Sequence, residues 1–271
     1  MHKTCLSVLA LAVLTVFTPA HARTLCTIVA DAADARVLLE QGDCRTRVTP
    51  ASTFKVPLAV IGFDSGFLKH AHSPVLPYKE GYVDWGGDNW RHPTDPTRWL
   101  KHSVVWYSQL IAHHLGEQKL SDYARKLGLG NADFSGDPGK NNGLDRAWIG
   151  SSLKVSPLEQ IVFLRKLVRH QLPVSEHAMS ETEKAVDVST AGDRWQVHGK
   201  TGSAFLRNPE DGSLDEARGH GWFVGWAVKG DRTLVFARLT QHDKKPKIPS
   251  GLAARADLLK EWPTLAASLG Q

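Results

Sequence analysis

The sequence lacks metal-type cysteine spacing, a dense basic patch and a long apolar run. Its three cysteines form no C-x-x-C pair and no cluster with histidine, so we predict no metal site. The formal net charge is +5, but only Lys244, Lys245 and Lys247 lie close together, so we expect no nucleic-acid partner. An apolar stretch from Leu6 to Phe17 is shorter than the roughly 20 residues of a membrane-spanning helix, and we expect no membrane span.

That apolar stretch instead has the layout of a secretory signal peptide. Lys3 precedes it, and Ala20-His21-Ala22 provides small residues on either side of position 21. This arrangement predicts a signal peptide over residues 1–22 that is cleaved before Arg23. The mature protein is therefore expected to be periplasmic or secreted.

The scarce cysteines then indicate one disulfide. Cys5 leaves with the signal peptide, and Cys26 and Cys44 remain as an even pair in an oxidising compartment. They flank two strand-like runs, Thr27–Ala30 and Val37–Glu40, which a hairpin would bring together. We predict that Cys26 and Cys44 are bonded to each other.

Residues 23–271 are predicted to form a single domain of the α+β class. A sheet subdomain is expected over about 23–50 and 193–271, with a helical subdomain over about 51–192 between them. Strands from both chain ends would thus form one antiparallel sheet. The predicted strands of the second half are Trp195–Thr201, Trp222–Val228 and Thr233–Leu239, and the predicted helices are Ser52–Ser65, Arg98–Leu115, Lys119–Leu127, one starting at Ser156, and Leu252–Ala267.

Three short motifs carry groups suited to acyl transfer. Ser52-Thr53-Phe54-Lys55 places a hydroxyl and an amine three residues apart at the start of an apolar run, where one helical turn brings them together. A lysine in such apolar surroundings has a lowered pKa and can serve as the base that a serine nucleophile needs. Ser103-Val104-Val105 offers a second hydroxyl, and Lys200-Thr201-Gly202 follows a strand. Each motif occurs by chance, but all three in this order do so far less often.

In these motifs the chain resembles the class D serine β-lactamases, the oxacillinase family. The three motifs match the family's nucleophile, S-x-V and K-T-G motifs, and the similarity covers essentially all of the mature sequence. Further agreement comes from Val105-Trp106-Tyr107-Ser108-Gln109 and Gly221-Trp222-Phe223-Val224-Gly225-Trp226. The resemblance implies a serine β-lactamase fold and hydrolysis of β-lactam antibiotics, with penicillins of the oxacillin type as expected substrates.

The resemblance also implies the roles of the catalytic residues. Ser52 would attack the lactam carbonyl, and Lys55 would be carboxylated by carbon dioxide and act as the general base. Trp148 matches the family's tryptophan whose indole N–H holds that carboxylated lysine. Ser103 would pass a proton to the leaving nitrogen, with Lys200 beside it. No cofactor is expected other than the carbon dioxide or bicarbonate that modifies Lys55.

Binding residues follow from the same comparison. The backbone N–H groups of Ser52 and Ser203 would form the oxyanion hole. Substrate-binding positions would be Val105, Thr201, Gly202 and Arg255; of these, Thr201 and Arg255 would bind the carboxylate of penicillins. The expected partner is a small-molecule β-lactam, and the protein would be a monomer or a homodimer.

One triplet departs from the family pattern, and two other functions stay open. The family usually carries Tyr or Phe before Gly-Asn, whereas this chain has Leu129-Gly130-Asn131, so substrate preference and anion sensitivity do not carry over. A β-lactam-binding sensor domain would be acylated without turnover, and a cell-wall transpeptidase would share the serine–lysine fold. Sensors and transpeptidases are usually attached to a membrane, and the predicted signal peptide favours a free enzyme over both.

Overall fold

The sheet of the protein is antiparallel and draws its strands from both ends of the chain. The computed structural model describes residues 22–192, 194–208 and 210–269. The strands lie in the order β2-β1-β6-β5-β4-β3, and every neighbouring pair is antiparallel. Their bounds are β1 Arg23–Asp31, β2 Val37–Gly42, β3 Val188–Ala191, β4 Trp195–Arg207, β5 Leu214–Lys229 and β6 Arg232–His242.

Helices occupy the middle of the chain and its end. They are α1 Lys55–Asp64, α2 Pro96–His102, α3 Val105–Leu127, α4 Gly143–Arg146, α5 Pro157–Val168, α6 Glu176–Ala185 and α7 Ser250–Ser268. The predicted α+β class, with a helical region inserted between the two parts of one sheet, is confirmed. Nearly all of the predicted signal peptide, residues 1–21, lies outside the described residues. No helix of the described part of the chain is long and apolar enough to cross a membrane.

Two hydrophobic clusters hold the layers together. The larger one joins α1, α3 and α5 to one face of the sheet and contains Trp99, Trp106 and Trp148, all of them fully buried. The smaller one packs α7 on other sheet residues, with Trp262 against Phe236 at a ring separation of 5.3 Å. Because aromatic side chains bury large areas, these packed rings dominate the burial that fixes the helices on the sheet.

Two of the predicted helices begin or end elsewhere. Ser52 does not start an α-helix: residues Ala51–Phe54 form a 3₁₀ turn, and α1 begins at Lys55. The predicted helix Arg98–Leu115 is interrupted at Ser103, whose φ of 56° is left-handed and ends α2. Its second half continues through the separately predicted helix to Leu127, with a break at Gly116, where φ is 77°. Sequence periodicity does not register single left-handed residues, which accounts for these errors.

Strands β4 and β5 are longer than predicted. The predicted strand ends were Thr201 and Trp222, but pairing continues to Arg207, which lies opposite Leu214. A register shift between Phe205 and Leu206 interrupts this extension. The outer ends of both strands are largely exposed, so their side chains lack the apolar alternation from which a strand is predicted.

The predicted disulfide is confirmed. Cys26 of β1 is bonded to Cys44, which follows β2, and their Cα atoms are 5.1 Å apart. Both side chains are buried in the larger cluster. The bond therefore fixes the edge hairpin of the sheet to the core.

We expect the double variant Cys26→Ala/Cys44→Ala to unfold more easily than the wild type. The bond closes a loop with a sequence separation of 18 residues, and such loops contribute about 3 kcal/mol by restricting the unfolded chain. Urea unfolding measures this change in the free energy of unfolding. Wild type treated with a reductant is the control and should lose the same amount. Equal midpoints for oxidised wild type and the double variant would contradict the prediction.

Candidate active site

A strained backbone turn presents Ser52. Ala51 has a φ of 50°, in the left-handed region that non-glycine residues rarely adopt. The turn is held from two sides: the Thr53 hydroxyl donates to the Pro50 carbonyl at 2.7 Å, and the Gln160 amide donates to the Thr53 hydroxyl at 2.8 Å. Such strain persists only where surrounding bonds fix it, and this turn sets the direction of the Ser52 side chain.

Lys55 lies directly beneath that serine. Its Nζ is 3.2 Å from Ser52 Oγ, within hydrogen-bond distance. The side chain is completely buried, and burial, followed by the positive charge of Lys200, lowers the pKa of Lys55 well below its usual range. A buried amine of lowered pKa spends more of its time neutral, and a neutral amine can accept a proton or react as a nucleophile.

A second lysine–serine pair faces the first. The Lys200 ammonium on β4 donates to Ser103 Oγ and also to the Thr201 carbonyl, the latter at 3.0 Å. Ser103 reaches it because its left-handed backbone ends α2 immediately before α3. Burial lowers the pKa of Lys200 to about 7; the charge of Asp187 opposes this shift and that of Arg255 adds to it. Near neutral pH this group can therefore hold or release a proton.

Trp148 carries a buried polar atom without a partner. The side chain is completely buried, and its indole Nε1 makes no hydrogen bond within the described part of the chain. The ring packs on Phe54, the residue before Lys55, with ring centroids 5.4 Å apart. The Thr49 hydroxyl donates a hydrogen bond to the Trp148 carbonyl at 2.9 Å, which fixes the backbone of Trp148. An unpaired buried donor costs free energy, so this position is suited to an acceptor that the chain itself does not supply.

Strand β4 passes close to the Ser52 turn because residue 202 is glycine. A Cβ atom on Gly202 would lie 2.9 Å from the Pro50 carbonyl oxygen and 3.2 Å from the Thr53 nitrogen. The start of α7 closes in from the other side, where the Gly251 N–H donates to Ser203 Oγ at 2.9 Å. The backbone of residues 202 and 203 is thereby held beside Ser52.

These groups border a cleft of about 490 Å³. Of the predicted site residues, the cleft brings together Ser52, Ser103, Val105, Thr201, Gly202 and Ser203. Lys55, Lys200 and Trp148 are buried, and the two lysines bond to serines of the cleft wall. No acidic residue is among the described residues that line the cleft, whereas Lys101 and His102 do line it. The cleft is therefore electrostatically suited to an anionic ligand.

Arg255 is placed differently from the other predicted residues. Its guanidinium donates to Ser189 Oγ and lies 3.6 Å from the Asp187 carboxylate. It does not line the cleft, although Leu252 on the same helix does. Its charge still acts on Lys200, whose pKa it lowers.

Sequence reasoning missed several residues of the cleft and its support. Trp85, which is 59% exposed, and Trp90 line the cleft from the segment between α1 and α2, for which no helix or strand was predicted. His102 lines the cleft as well. Gln160, which fixes the Ser52 turn, is a buried polar residue on α5. The adjacency of His102 to Ser103 was the one clue available.

We expect Lys200→Met to change how stability depends on pH. The folded-state pKa of Lys200 is about 7, while an unfolded lysine titrates near 10.4, so between these values the unfolded chain binds the extra proton. Stability therefore rises with pH in this window, by at most about 1.36 kcal/mol per pH unit from this group. Urea unfolding between about pH 7 and pH 10 should give a shallower rise for Lys200→Met.

The matched control is Lys166→Met, which removes one positive charge from an exposed position on α5. That variant should keep the wild-type slope, because the Lys166 side chain lies in solvent. Equal slopes for Lys200→Met and wild type would show that burial of Lys200 does not couple folding to proton binding.

Comparison with known proteins connects this site to one family. Residues 8–262 match the model described as the penicillin binding protein transpeptidase domain. The chain is 46% identical over 240 residues to β-lactamase OXA-9 of Klebsiella pneumoniae, covering 89% of this chain and 87% of that protein. It is 33% identical over 223 residues to β-lactamase OXA-1 of Escherichia coli, covering 82% and 77%.

The comparison with solved structures agrees with the comparison of sequences. The crystal structure of the OXA-427 class D β-lactamase superposes with a TM-score of 0.82 at 42% identity, covering 90% of this chain and 99% of that one. The C-terminal domain of the Bacillus licheniformis BlaR penicillin-receptor superposes with a TM-score of 0.74 at 20% identity, covering 91% of each chain, and shares the fold. On the strength of the close relatives and the paired serine–lysine geometry, the chain belongs to the class D serine β-lactamases.

Proposed function

We propose that this protein hydrolyses β-lactam antibiotics, and so confers resistance to them, through an acyl-enzyme on Ser52. The observation that carries the proposal is the contact between Ser52 and a buried lysine of lowered pKa, at the base of a cleft without acidic lining residues among those described. A serine needs such a base to become a nucleophile at neutral pH. Close relatives named as β-lactamases support the same reaction.

The acylation step uses both serine–lysine pairs. Ser52 Oγ attacks the lactam carbonyl carbon and gives its proton to the base at position 55. The backbone N–H groups of Ser52 and Ser203 stabilise the oxyanion; each such donor contributes about 2.7–4 kcal/mol in comparable sites. The carbon–nitrogen bond then breaks, and Ser103 passes a proton to the departing nitrogen and regains one from Lys200, to which it is hydrogen-bonded.

Deacylation requires a base that acts on water, and the residues around Lys55 fit a lysine carboxylated by carbon dioxide. When present, that carboxyl group supplies an anionic general base. Lys55 provides the neutral amine that carbon dioxide needs, because burial lowers its pKa. The unpartnered indole N–H of Trp148 provides a donor for a buried anion. We expect no metal or organic cofactor for either step.

Substrate recognition would rest on the carboxylate that penicillins carry. The Thr201 side chain lines the cleft and can donate to that carboxylate. Arg255 would act from the side of α7, and its contact with Asp187 orients the guanidinium. Val105 and Gly202 form the wall against which the bicyclic ring would lie. With Lys200 beneath, the carboxylate would meet positive charge on more than one side.

A non-hydrolysing sensor is the second candidate, and the relatives favour it less. The receptor domain is 20% identical, whereas the β-lactamases OXA-9 and OXA-427 are 46% and 42% identical. We propose that the protein is exported, and is periplasmic or secreted, on the basis of the predicted signal peptide over residues 1–22. A monomeric or homodimeric state stays a prediction.

Turnover decides between hydrolase and sensor. Purified protein with a molar excess of penicillin should release many equivalents of the opened product, followed by absorbance of the lactam. Ser52→Ala should neither form a covalent adduct in intact-protein mass spectrometry nor turn over, because the attacking oxygen is absent. One equivalent of adduct without further product in the wild type would exclude the hydrolase function and favour the sensor.

We expect Trp148→Phe to raise the bicarbonate concentration needed for activity. Loss of one hydrogen bond to a charged group costs about 1.5–3 kcal/mol, which corresponds to about one to two orders of magnitude in that concentration. Initial rates in degassed buffer with increasing bicarbonate measure the change, and carbon-13 NMR detects the carboxylated lysine directly.

Trp262→Phe is the matched control. Trp262 is also completely buried with an unpartnered indole N–H, but it lies in the other hydrophobic cluster. Trp262→Phe should lose stability and keep the wild-type bicarbonate response. If Trp148→Phe responds to bicarbonate as Trp262→Phe does, Trp148 does not hold the modified lysine.

A further inference from the structure

A second cavity with excess positive charge lies beside the loop that carries Trp148. Its volume is about 210 Å³, and it shares no described lining residue with the substrate cleft. The cavity is open to solvent between the segment before Ser52, the Trp148 loop and strands β4 and β5. It is lined by Arg47, Val48, Thr49, Gly150, Lys154, Phe205, Leu206, Arg207 and His220.

Arg47, Lys154 and Arg207 contribute basic side chains to this lining, and two of the three already pair with carboxylates outside it. Arg47 Nε donates to both Glu159 oxygens at 3.0 and 3.1 Å. Arg207 pairs with Asp137 at 2.8 Å. Glu159 compensates the charge of Arg47, but Asp137 also lies 3.4 Å from Arg146, so Arg207, Arg146 and Asp137 together keep one positive charge beside the cavity.

Lys154 is the basic side chain of the lining for which the described residues provide no carboxylate partner. Its ammonium makes no hydrogen bond or ion pair with any residue of the described chain, although the side chain is only partly exposed. Burial, followed by the charge of Arg207, lowers the pKa of Lys154. A partly desolvated cation next to another cation is unfavourable, and an anion in the cavity would offset that cost.

His220 adds a second unsatisfied group. The residue is 6% exposed, and its ring Nδ1 is buried without a hydrogen-bond partner among the described residues. Burial, followed by the charge of Lys154, lowers its pKa to about 4, so the ring is neutral at pH 7. A neutral imidazole has one N–H to donate. Buried polar side chains in native proteins nearly all have partners, so this nitrogen points to a ligand.

We propose that the cavity binds a small inorganic oxyanion of the sulfate or phosphate class between Lys154 and His220. The ion would accept hydrogen bonds from both side chains and neutralise the unpaired ammonium. The cavity has room for such an ion with several waters, given that one water occupies about 30 Å³ in the liquid.

The proposed site is mechanically connected to the Trp148 loop. Thr49, which lines the cavity, donates to the Trp148 carbonyl and accepts from the Gly150 N–H at 3.0 Å. Arg207 donates to the Gly150 carbonyl at 2.8 Å. An ion held here would therefore stabilise the loop without contacting substrate. The proposal does not depend on the hydrolytic function and is tested without it.

The test is the thermal unfolding midpoint during titration with sodium sulfate or sodium phosphate, against sodium chloride at equal ionic strength. The wild type should show a saturable increase with at least one oxyanion. Lys154→Met should weaken that response by more than about ten-fold in concentration, because a charged hydrogen-bond partner is lost. Lys166→Met, which removes an exposed charge from α5, should respond as the wild type does. Sulfate also stabilises proteins by exclusion from their surface, and that effect should be equal in all variants.

Binding in the substrate cleft must be distinguished from binding in this cavity. Lys200→Ala removes a cation of the cleft and should keep the saturable response. Diffraction from a crystal soaked in selenate should show an anomalous peak between Lys154 and His220. An unchanged response in Lys154→Met, a response lost only in Lys200→Ala, or selenate confined to the cleft would each overturn the proposal.

Discussion

Burial of two lysines in one small region is the constraint on which the site depends. Lys55 and Lys200 are each within hydrogen-bond distance of a serine, and the pKa of each lysine is lowered because burial excludes water. Repulsion between the two ammonium groups adds to the effect on Lys55. Desolvation is unfavourable for folding, and the two packed hydrophobic clusters supply the stability that makes it tolerable. The chemistry is thus a consequence of packing.

The backbone shares in this constraint. Ala51 and Ser103 both adopt left-handed conformations without being glycine, and both lie next to or at a reactive hydroxyl. Their positions are fixed from outside, by the Gln160 and Thr53 bonds in one case and by Lys200 in the other. The strained residues lie where two elements meet, so that a helix end rather than a helix interior presents each serine.

Much of this arrangement could be predicted from residue types and their order. The Ser52 and Lys55 spacing, the Lys200 motif and the Cys26–Cys44 pair are local patterns, and local patterns are visible in a sequence. The left-handed turns could not be predicted, because they depend on contacts with residues about a hundred positions away in the chain. The extension of β4 to Arg207 could not be predicted either, because it depends on exposed backbone pairing.

The position of Arg255 shows the same limit. The family resemblance predicted a carboxylate-binding guanidinium at Arg255, and the fold places its charge close enough to influence Lys200. Its direct partners are Ser189 in β3, at the far edge of the sheet, and Asp187 immediately before that strand. No spacing rule connects those segments. Sheet order, which only the folded chain reveals, brings them together.

Helix α7 has two roles that bear on how far the chain could be shortened. Its body covers one face of the sheet through Trp262, while its first residues, at Gly251, press against Gly202 and bond to Ser203. Most chain termini tolerate trimming because little is packed against them. Here a deletion of the whole of α7 would both expose a core and open a wall of the cleft. The packing of the sheet and the shape of the cleft therefore depend on the same helix.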